Sequence, residues 1–398
     1  MPTYRRIQPI PNVATWTPLL LLMSLALAAC SDGPAEPTAS ETASRSVAAS
    51  ISGDDGSSRP GAVYTLTNAA SGNGVIAFQR ASDGALTPIA TFATGGRGTG
   101  GGVDPLESQY AVVLNESHDA LFAVDAGSDQ LSSFRVGSDG ALALAGTVPS
   151  GGERPVSIAV HDNLLYALNT GDNSVSGFRV TGGARLVALP GSTRSLATGA
   201  SGAAAIRFTP DGRYVVVTER VSNRLEVFPV RPNGRLGAPV VSAASGSASF
   251  GFDITARNQP IVSETQGSLT SYALLTDGSL IPITASISTG GTAACWVTIT
   301  SDGRFAYSTN AGSNSVAGFT VDAGGHLAAI TPGAATGDAG AGASPIDLDH
   351  VGTRFLYALE AGSGTIATFV IDSDGTLAPR PDTPAGAPSS GLQGIAAF

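Results

Sequence analysis

Two columns of residues recur seven times between Gly61 and the last residue, Phe398, and their regularity constrains the fold more than any other feature. The first column closes an apolar run: Asn68, Asp125, Asn169, Glu219, Glu264, Asn310 and Glu360. The second is a tight-turn dipeptide: Asp83-Gly84, Asp139-Gly140, Gly182-Gly183, Asn233-Gly234, Asp277-Gly278, Gly324-Gly325 and Asp374-Gly375. Such dipeptides supply the positive φ angles of a hairpin between twisted strands. The stretch Cys295 to Ile330 is the clearest copy, with four short apolar runs separated by turns at Ser301-Asp302-Gly303, Asn310 and Gly324-Gly325. Four strands joined by tight turns and repeated at a fixed period read as the blades of an all-β, seven-bladed β-propeller.

The ends of the repeat show how the ring shuts. The first unit begins at Ala62 with a second strand and lacks a first, whereas the chain finishes in Leu392 to Phe398, a first strand with no blade after it. The C-terminal strand is therefore expected to complete blade 1, which pairs an otherwise open edge. The propeller is expected over residues 61–398.

Ahead of it, Arg5 and Arg6 precede an apolar run, Thr17 to Ala29, that ends at Leu27-Ala28-Ala29-Cys30. The run is short for a membrane span and reads as a signal peptide over residues 1–29. Its ending resembles a bacterial lipobox, which implies lipidation of Cys30 and a protein exported and anchored to the cell envelope, with Ser31 resembling outer-membrane sorting. Residues 30–60, rich in Ser, Ala, Asp and Gly, are expected to form a disordered tether whose ends lie about 30 Å apart.

Lysine is absent, and after Cys30 the chain carries 19 arginines against 31 acidic residues, a formal net charge of 19 − 31 = −12. Nucleic acid, whose binding rests on neutralised phosphates, is not an expected partner. A monomer meeting a small molecule or an envelope ligand is.

In propellers ligands meet the face formed by the loops between second and third strands and between blades. His118, His161, His350 and His326 all fall on the opposite face, where they read as solvated turn residues, so neither a Ser-His-Asp triad nor a His-rich metal site is expected. Cys295 and Trp296 begin the innermost strand of blade 6 near the binding face. With no histidine to activate it, Cys295 reads as a buried structural thiol, and both residues are candidates to line a ligand site. The first-column acids can cap the turns that follow them. Alternatively Glu219 and Glu264, in adjacent blades, reach toward a shared pocket as a general base or as oxygen ligands for a cation such as Ca²⁺; no cofactor is otherwise required. Arg154, Arg220 and Arg224 are the possible counter-charges, and Arg154 in the loop entering blade 3 could stabilise an oxyanion.

The blade pattern, with TPDGRYVVVTE at Thr209 to Glu219 and SDGRFAYSTNAGSNSVAGF at Ser301 to Phe319, resembles the lactonase-like seven-bladed propellers, bacterial 6-phosphogluconolactonases and fungal carboxymuconate-lactonizing enzymes. The resemblance implies an essential carboxylate at Glu219; the hydrolase reading adds Arg154 or Arg220 as the group that stabilises the oxyanion and a neutral or weakly charged lactone as substrate. The chain departs from that pattern at Gly152 to Ser157, which lacks a histidine, at Ala204-Ala205, where an Arg-His pair is expected, and at Ala311, which stands for an Arg. A propeller that only binds a protein, glycan or small ligand is the alternative.

Overall fold

In a computed structural model, which describes residues 60–199, 201–387 and 391–398, strand formation follows the apolar runs, and each run pairs antiparallel with the next in sequence. Seven sheets result. Their inner, second, third and outer strands are, in blade 2, Val112–Leu114, Ala120–Asp125, Gln130–Val136 and Leu142–Pro149. Blade 3 uses Pro155–His161, Leu164–Asn169, Ser174–Thr181 and Arg185–Ala188; blade 4, Ala203–Phe208, Tyr214–Glu219, Arg224–Pro229 and Val240–Ala243. Blade 5 uses Ser249–Ile254, Pro260–Glu264, Ser268–Leu274 and Leu280–Ser288; blade 6, Ala294–Ile299, Phe305–Asn310, Ser315–Val321 and Leu327–Ala329. Blade 7 uses Pro345–Val351, Phe355–Glu360, Thr365–Ile371 and Leu377–Pro379. The signal peptide, Cys30 and the tether lie outside the described residues.

Blade 1 closes the ring. Its inner strand is Gln393–Ala397, from the far end of the chain, beside Gly61–Leu66, Gly74–Arg80 and Leu86–Ala93. The register pairs Val63 with Ala397, Tyr64 with Ala396 and Thr65 with Ile395. Ala62 and Phe398 exchange both backbone hydrogen bonds, at 3.1 and 3.0 Å. Leu392, Ile395, Ala396 and Phe398 are buried there.

Burial follows position within the blade. Second strands such as Ala120–Asp125, Phe305–Asn310 and Phe355–Glu360 are buried at every residue. Sandwiched between two neighbouring blades, they are apolar on both faces rather than alternating. The outer strands Leu142–Pro149 and Leu280–Ser288 are mostly exposed or half-buried.

The second-column hairpins differ in detail from the expectation. Only the glycine takes positive φ, as at Gly84 (90°), Gly140 (82°) and Gly278 (89°). The preceding Asp or Asn works through its side chain, whose oxygen accepts the amide two residues on, with Asp83 taking Ala85 at 3.1 Å and Asp277 taking Ser279 at 2.9 Å. Gly84 also permits close approach, since a Cβ there would sit 2.5 Å from the Phe355 ring. These hairpins are docking points between blades. The buried hydroxyls of Tyr64, Tyr307 and Tyr357 donate to the carbonyls of Gly140, Gly375 and Gly84 at 2.8, 2.8 and 2.9 Å, and Tyr166 donates likewise to Gly234. Each bond ties a second strand to the turn of the next blade.

Candidate functional site

Six of the seven first-column residues end second strands, whereas Asn68 follows its strand by two residues and bonds Thr99 of the loop to blade 2. The side chains turn into hydroxyl and amide partners of their own blade or, for Asp125, of the blade before it. Asp125 accepts from Ser132, Thr94 and Asn73 at 2.5, 2.6 and 3.0 Å. Glu264 accepts from Ser268, from Thr270 at 2.5 Å and from Ser286 at 2.8 Å. Glu360 accepts from Thr365 at 2.5 Å and Ser363 at 3.3 Å, and burial pushes its carboxyl up to about 7. Glu219, fully buried, accepts from Thr198 at 3.2 Å and from Ser222. Caps of this kind hold the strand ends together. The shared pocket expected for Glu219 and Glu264 is not what this geometry provides, because each carboxylate is turned into hydroxyl donors of its own surroundings.

What lies beside Glu219 is a second acid. Glu226 accepts the Ala197 amide at 2.6 Å, and burial, aided by Glu219, raises its carboxyl to about 7 against the pull of that amide. Two oxygens here lack a donor, Glu219 Oε1 and Glu226 Oε2. One proton held between the two carboxyls satisfies both. Among the described residues neither Arg154 nor Arg220 comes within ion-pair distance of Glu219.

The predicted arginines converge instead on the loop that joins blades 1 and 2. This loop runs from Thr94 to Ala111 and crosses the channel. Ser108 Oγ donates to the Val156 carbonyl of blade 3 at 2.8 Å, and the Gln109 amide to Ala204 of blade 4 at 3.2 Å. The Gln109 side chain accepts from Phe252 N of blade 5 at 2.9 Å and donates to the Val297 carbonyl of blade 6 at 2.6 Å. Gln393 of blade 1 donates to Asp104 at 3.0 Å and to the Ser108 carbonyl at 2.9 Å. Five inner strands thus hold one loop across the channel and divide it into an upper mouth and a lower one.

At the upper mouth Arg154, exposed and with φ of 54°, donates from Nη2 to the Pro105 carbonyl at 3.0 Å. Arg220 pairs through Nη2 with Glu107 at 2.5 Å and lies 5.6 Å over the Phe250 ring, which stacks on Trp296 at 4.2 Å. Half-buried Asp104 lies near Glu107 and Arg220. Burial raises its carboxyl to about 7, Gln393 and Arg220 pulling it down and Glu107 pushing it up. A carboxyl poised near neutrality suits a general base. Sequence reasoning missed Asp104, Glu107 and Gln109, although the unusual length of their loop was a readable signal.

Cys295 is buried, its Sγ contacts the Ala293 carbonyl at 3.3 Å, and burial together with Asp104 pushes the thiol far up. That agrees with a structural thiol. Trp296 is wholly buried behind Phe250, so it can report on this mouth without touching a ligand. Arg224 ends up paired in the ladder with Glu219 and Ala243, away from the loop. For Ca²⁺, no group of three or more His, Cys, Asp or Glu suited to a metal occurs among the described residues.

The histidines are less simple than solvated turns. His326 is exposed, but His161 and His350 keep only 22% and 19% of their side-chain surface. With His118 they line a cavity at the lower mouth. Their rings pack on aromatic neighbours, His118 on Phe398 at 5.1 Å and His161 on Phe208 at 5.5 Å, which turn polarity alone does not announce.

Comparison with known proteins adds the family context. The family described as "Lactonase, 7-bladed beta-propeller" matches residues 61–188, 112–273 and 261–389. The 6-phosphogluconolactonase of Yersinia pestis is 26% identical over 160 residues, 38% of this chain and 48% of that protein. The match thus spans about half the length of the curated relative. Among solved structures, a candidate 6-phosphogluconolactonase of Bacteroides uniformis aligns over 85% of this chain and 99% of its own, with a TM-score of 0.69 and 19% identity. The periplasmic gluconolactonase PpgL of Pseudomonas aeruginosa aligns over 83% and 98%, with a TM-score of 0.66 and 19% identity. At such identity the likeness to solved structures is one of fold.

Proposed function

Because the chain belongs to the lactonase family of seven-bladed β-propellers, we propose that it hydrolyses a lactone at the upper mouth, with Asp104 as general base and Arg220 and Arg154 as oxyanion donors. The observation that carries this reading is the convergence of both arginines on the loop that bears Asp104. Asp104 takes a proton from water as the water oxygen attacks the lactone carbonyl carbon. The negative charge that develops on the carbonyl oxygen is met by a guanidinium. Collapse breaks the ring C–O bond, and the departing alkoxide takes the proton back from Asp104, leaving a hydroxy acid.

Arg220 is free to change partners at low cost. Glu107 keeps 60% of its side-chain surface exposed, and exposed ion pairs contribute about 0–1 kcal/mol. Asp104, Glu107 and the acidic surface disfavour a phosphorylated or multiply anionic substrate, so the substrate is a neutral or weakly charged lactone. Glu219, which the family resemblance makes the base, serves here through its cap, holding the corner from which Arg220 projects. We place the protein at the cell envelope as a monomer, anchored through Cys30, on the strength of the sequence Leu27-Ala28-Ala29-Cys30 and its signal-like run.

A second reading, a propeller that binds a ligand without turning it over, is favoured by the burial of Glu219 away from the mouth. A panel of neutral lactones assayed by acid release separates the two. Hydrolysis is expected for at least one, lowered about 10²-fold or more by Asp104→Asn and by Arg220→Gln, with Glu219→Gln affecting stability more than rate. No turnover of any lactone leaves the binding reading. A loss confined to Glu219→Gln in a normally folded protein returns the base to Glu219.

A further inference from the structure

Below the Gln109 crossing, the channel opens on the opposite face as a cavity of about 510 Å³. Volumes of that order hold small organic molecules. Tyr110, Phe208 and Phe398 contribute to its walls, and its buried carboxyl groups come from Asp253, Asp347 and Asp349, with exposed Glu116 at the rim paired to His161. Two of these acids are compensated. Asp253 pairs with Arg207 at 2.9 Å and accepts the Ile254 and Ile299 amides at 2.7 and 3.0 Å. Asp349 accepts the His350 and Ala397 amides, both at 2.8 Å.

Asp347 is not compensated. Its residue is 2% exposed and Oδ1 accepts the Leu348 amide at 2.9 Å, yet Oδ2 has no hydrogen-bond partner. The Ile395 amide is near enough to favour the ionised form without completing a bond, while burial and the neighbouring Asp104 and Asp349 oppose ionisation. A buried carboxylate with no counter-charge is costly, and a positive partner removes that cost. The cavity wall supplies none to spare. Arg207 is committed to Asp253 and lies 4.7 Å over the Tyr110 ring. His350 is bound to Thr298 at 2.8 Å and His161 to Glu116 at 2.8 Å, and His118 is stacked on Phe398 at 5.1 Å.

We propose that this lower cavity is a second ligand site, distinct from the lactone mouth, that takes a small organic ammonium ion with Asp347 as its counter-ion. Aromatic faces beside a carboxylate are a recurring way to hold such cations. The proposal does not require lactone turnover, although Asp347 and Asp104 lie near enough for each to feel the other's charge.

Calorimetric titration with choline and with its uncharged isostere 3,3-dimethyl-1-butanol tests it. Choline is expected to bind at least about tenfold more tightly than the isostere, and Asp347→Asn to lose at least about tenfold, whereas Arg220→Gln shifts the affinity less than about twofold. Equal affinity for the two probes overturns the proposal. So does full retention of binding in Asp347→Asn, a preference for glucose or Ca²⁺ over choline, or no binding by the wild type at about 10 mM choline. If Asp347→Asn fails to fold, transferred NOEs decide on the wild type: contacts from the choline methyls to the Tyr110 and Phe398 rings support the site, and their absence overturns it.

Discussion

Replacing Glu226 by Gln should remove a pH dependence from the stability of the whole ring. The paired acids leave Glu219 Oε1 and Glu226 Oε2 without donors unless a proton lies between them. A glutamine keeps a carbonyl oxygen for the Ala197 amide and supplies an N–H to Glu219 at every pH. In the wild type the folded carboxyl titrates at about 7 against 4.5 for the ordinary group. A raised acid favours folding fully below the unfolded value, and that stability is lost as pH rises between about 4.5 and 7. At 1.36 kcal/mol per pH unit the ceiling is about 3 kcal/mol, and solvent relaxation lowers it to about 1–3 kcal/mol. Unfolding entropy of about 2.1 cal/mol/K per residue, over a ring of this length, converts that to roughly 1–4 °C. Thermal melts of wild type and Glu226→Gln from about pH 4.5 to 8 should therefore show the variant gaining on the wild type by that amount toward high pH. Asp104, Asp125, Asp347, Asp349 and Glu360 are raised in the same direction, but they are common to both proteins and cancel in the difference. A difference in melting temperature that stays constant with pH refutes the shared proton.

Deleting Leu392 to Phe398 removes the inner strand of blade 1 together with its buried Leu392, Ile395 and Phe398. At about 1.5–3 kcal/mol for each large side chain, the loss rivals the stability of a whole domain, about 5–15 kcal/mol. Circular dichroism should show failure to fold or a melting temperature lowered by many degrees; an unchanged melt contradicts closure by this strand. Tyr357→Phe leaves the Gly84 carbonyl without its 2.9 Å donor and should cost about 1–3 kcal/mol in denaturant titrations. The Cys295 thiol, buried and pushed up, should resist a disulfide reagent in the native protein and react once denaturant is added.

The fold was legible because its signals are local and repeated. Asp83-Gly84 and its six counterparts each mark a hairpin that depends on its own residues, and the surplus strand at Leu392 to Phe398 named its own partner at Ala62. The tyrosines at positions 64, 166, 307 and 357 stand three or four residues before the first column, yet their purpose depends on carbonyls of the following blade, which no single blade sequence reveals. The proposed site was legible in part. Arg154 and Arg220, with Arg224, were visible as possible counter-charges, whereas Asp104, Glu107 and Gln109 sit in a glycine-rich loop with no periodicity to read. Glu219 allowed two readings for a physical reason: a carboxylate at the end of a second strand can face the channel or serve as a cap, and the contacts with Thr198, Ser222 and Glu226 favour the cap.

The claim that Asp104 and the two arginines form a lactone-hydrolysing centre is tested most directly by the pH–rate profile of a turned-over lactone, corrected for spontaneous hydrolysis. For the wild type kcat/KM should rise with pH through about 7, as Asp104 loses its proton and becomes able to accept one from water. In Asp104→Asn the rate should be far lower and that rise absent. A wild-type profile that is flat through this range, or an Asp104→Asn enzyme that keeps both the rate and the rise, would contradict the account.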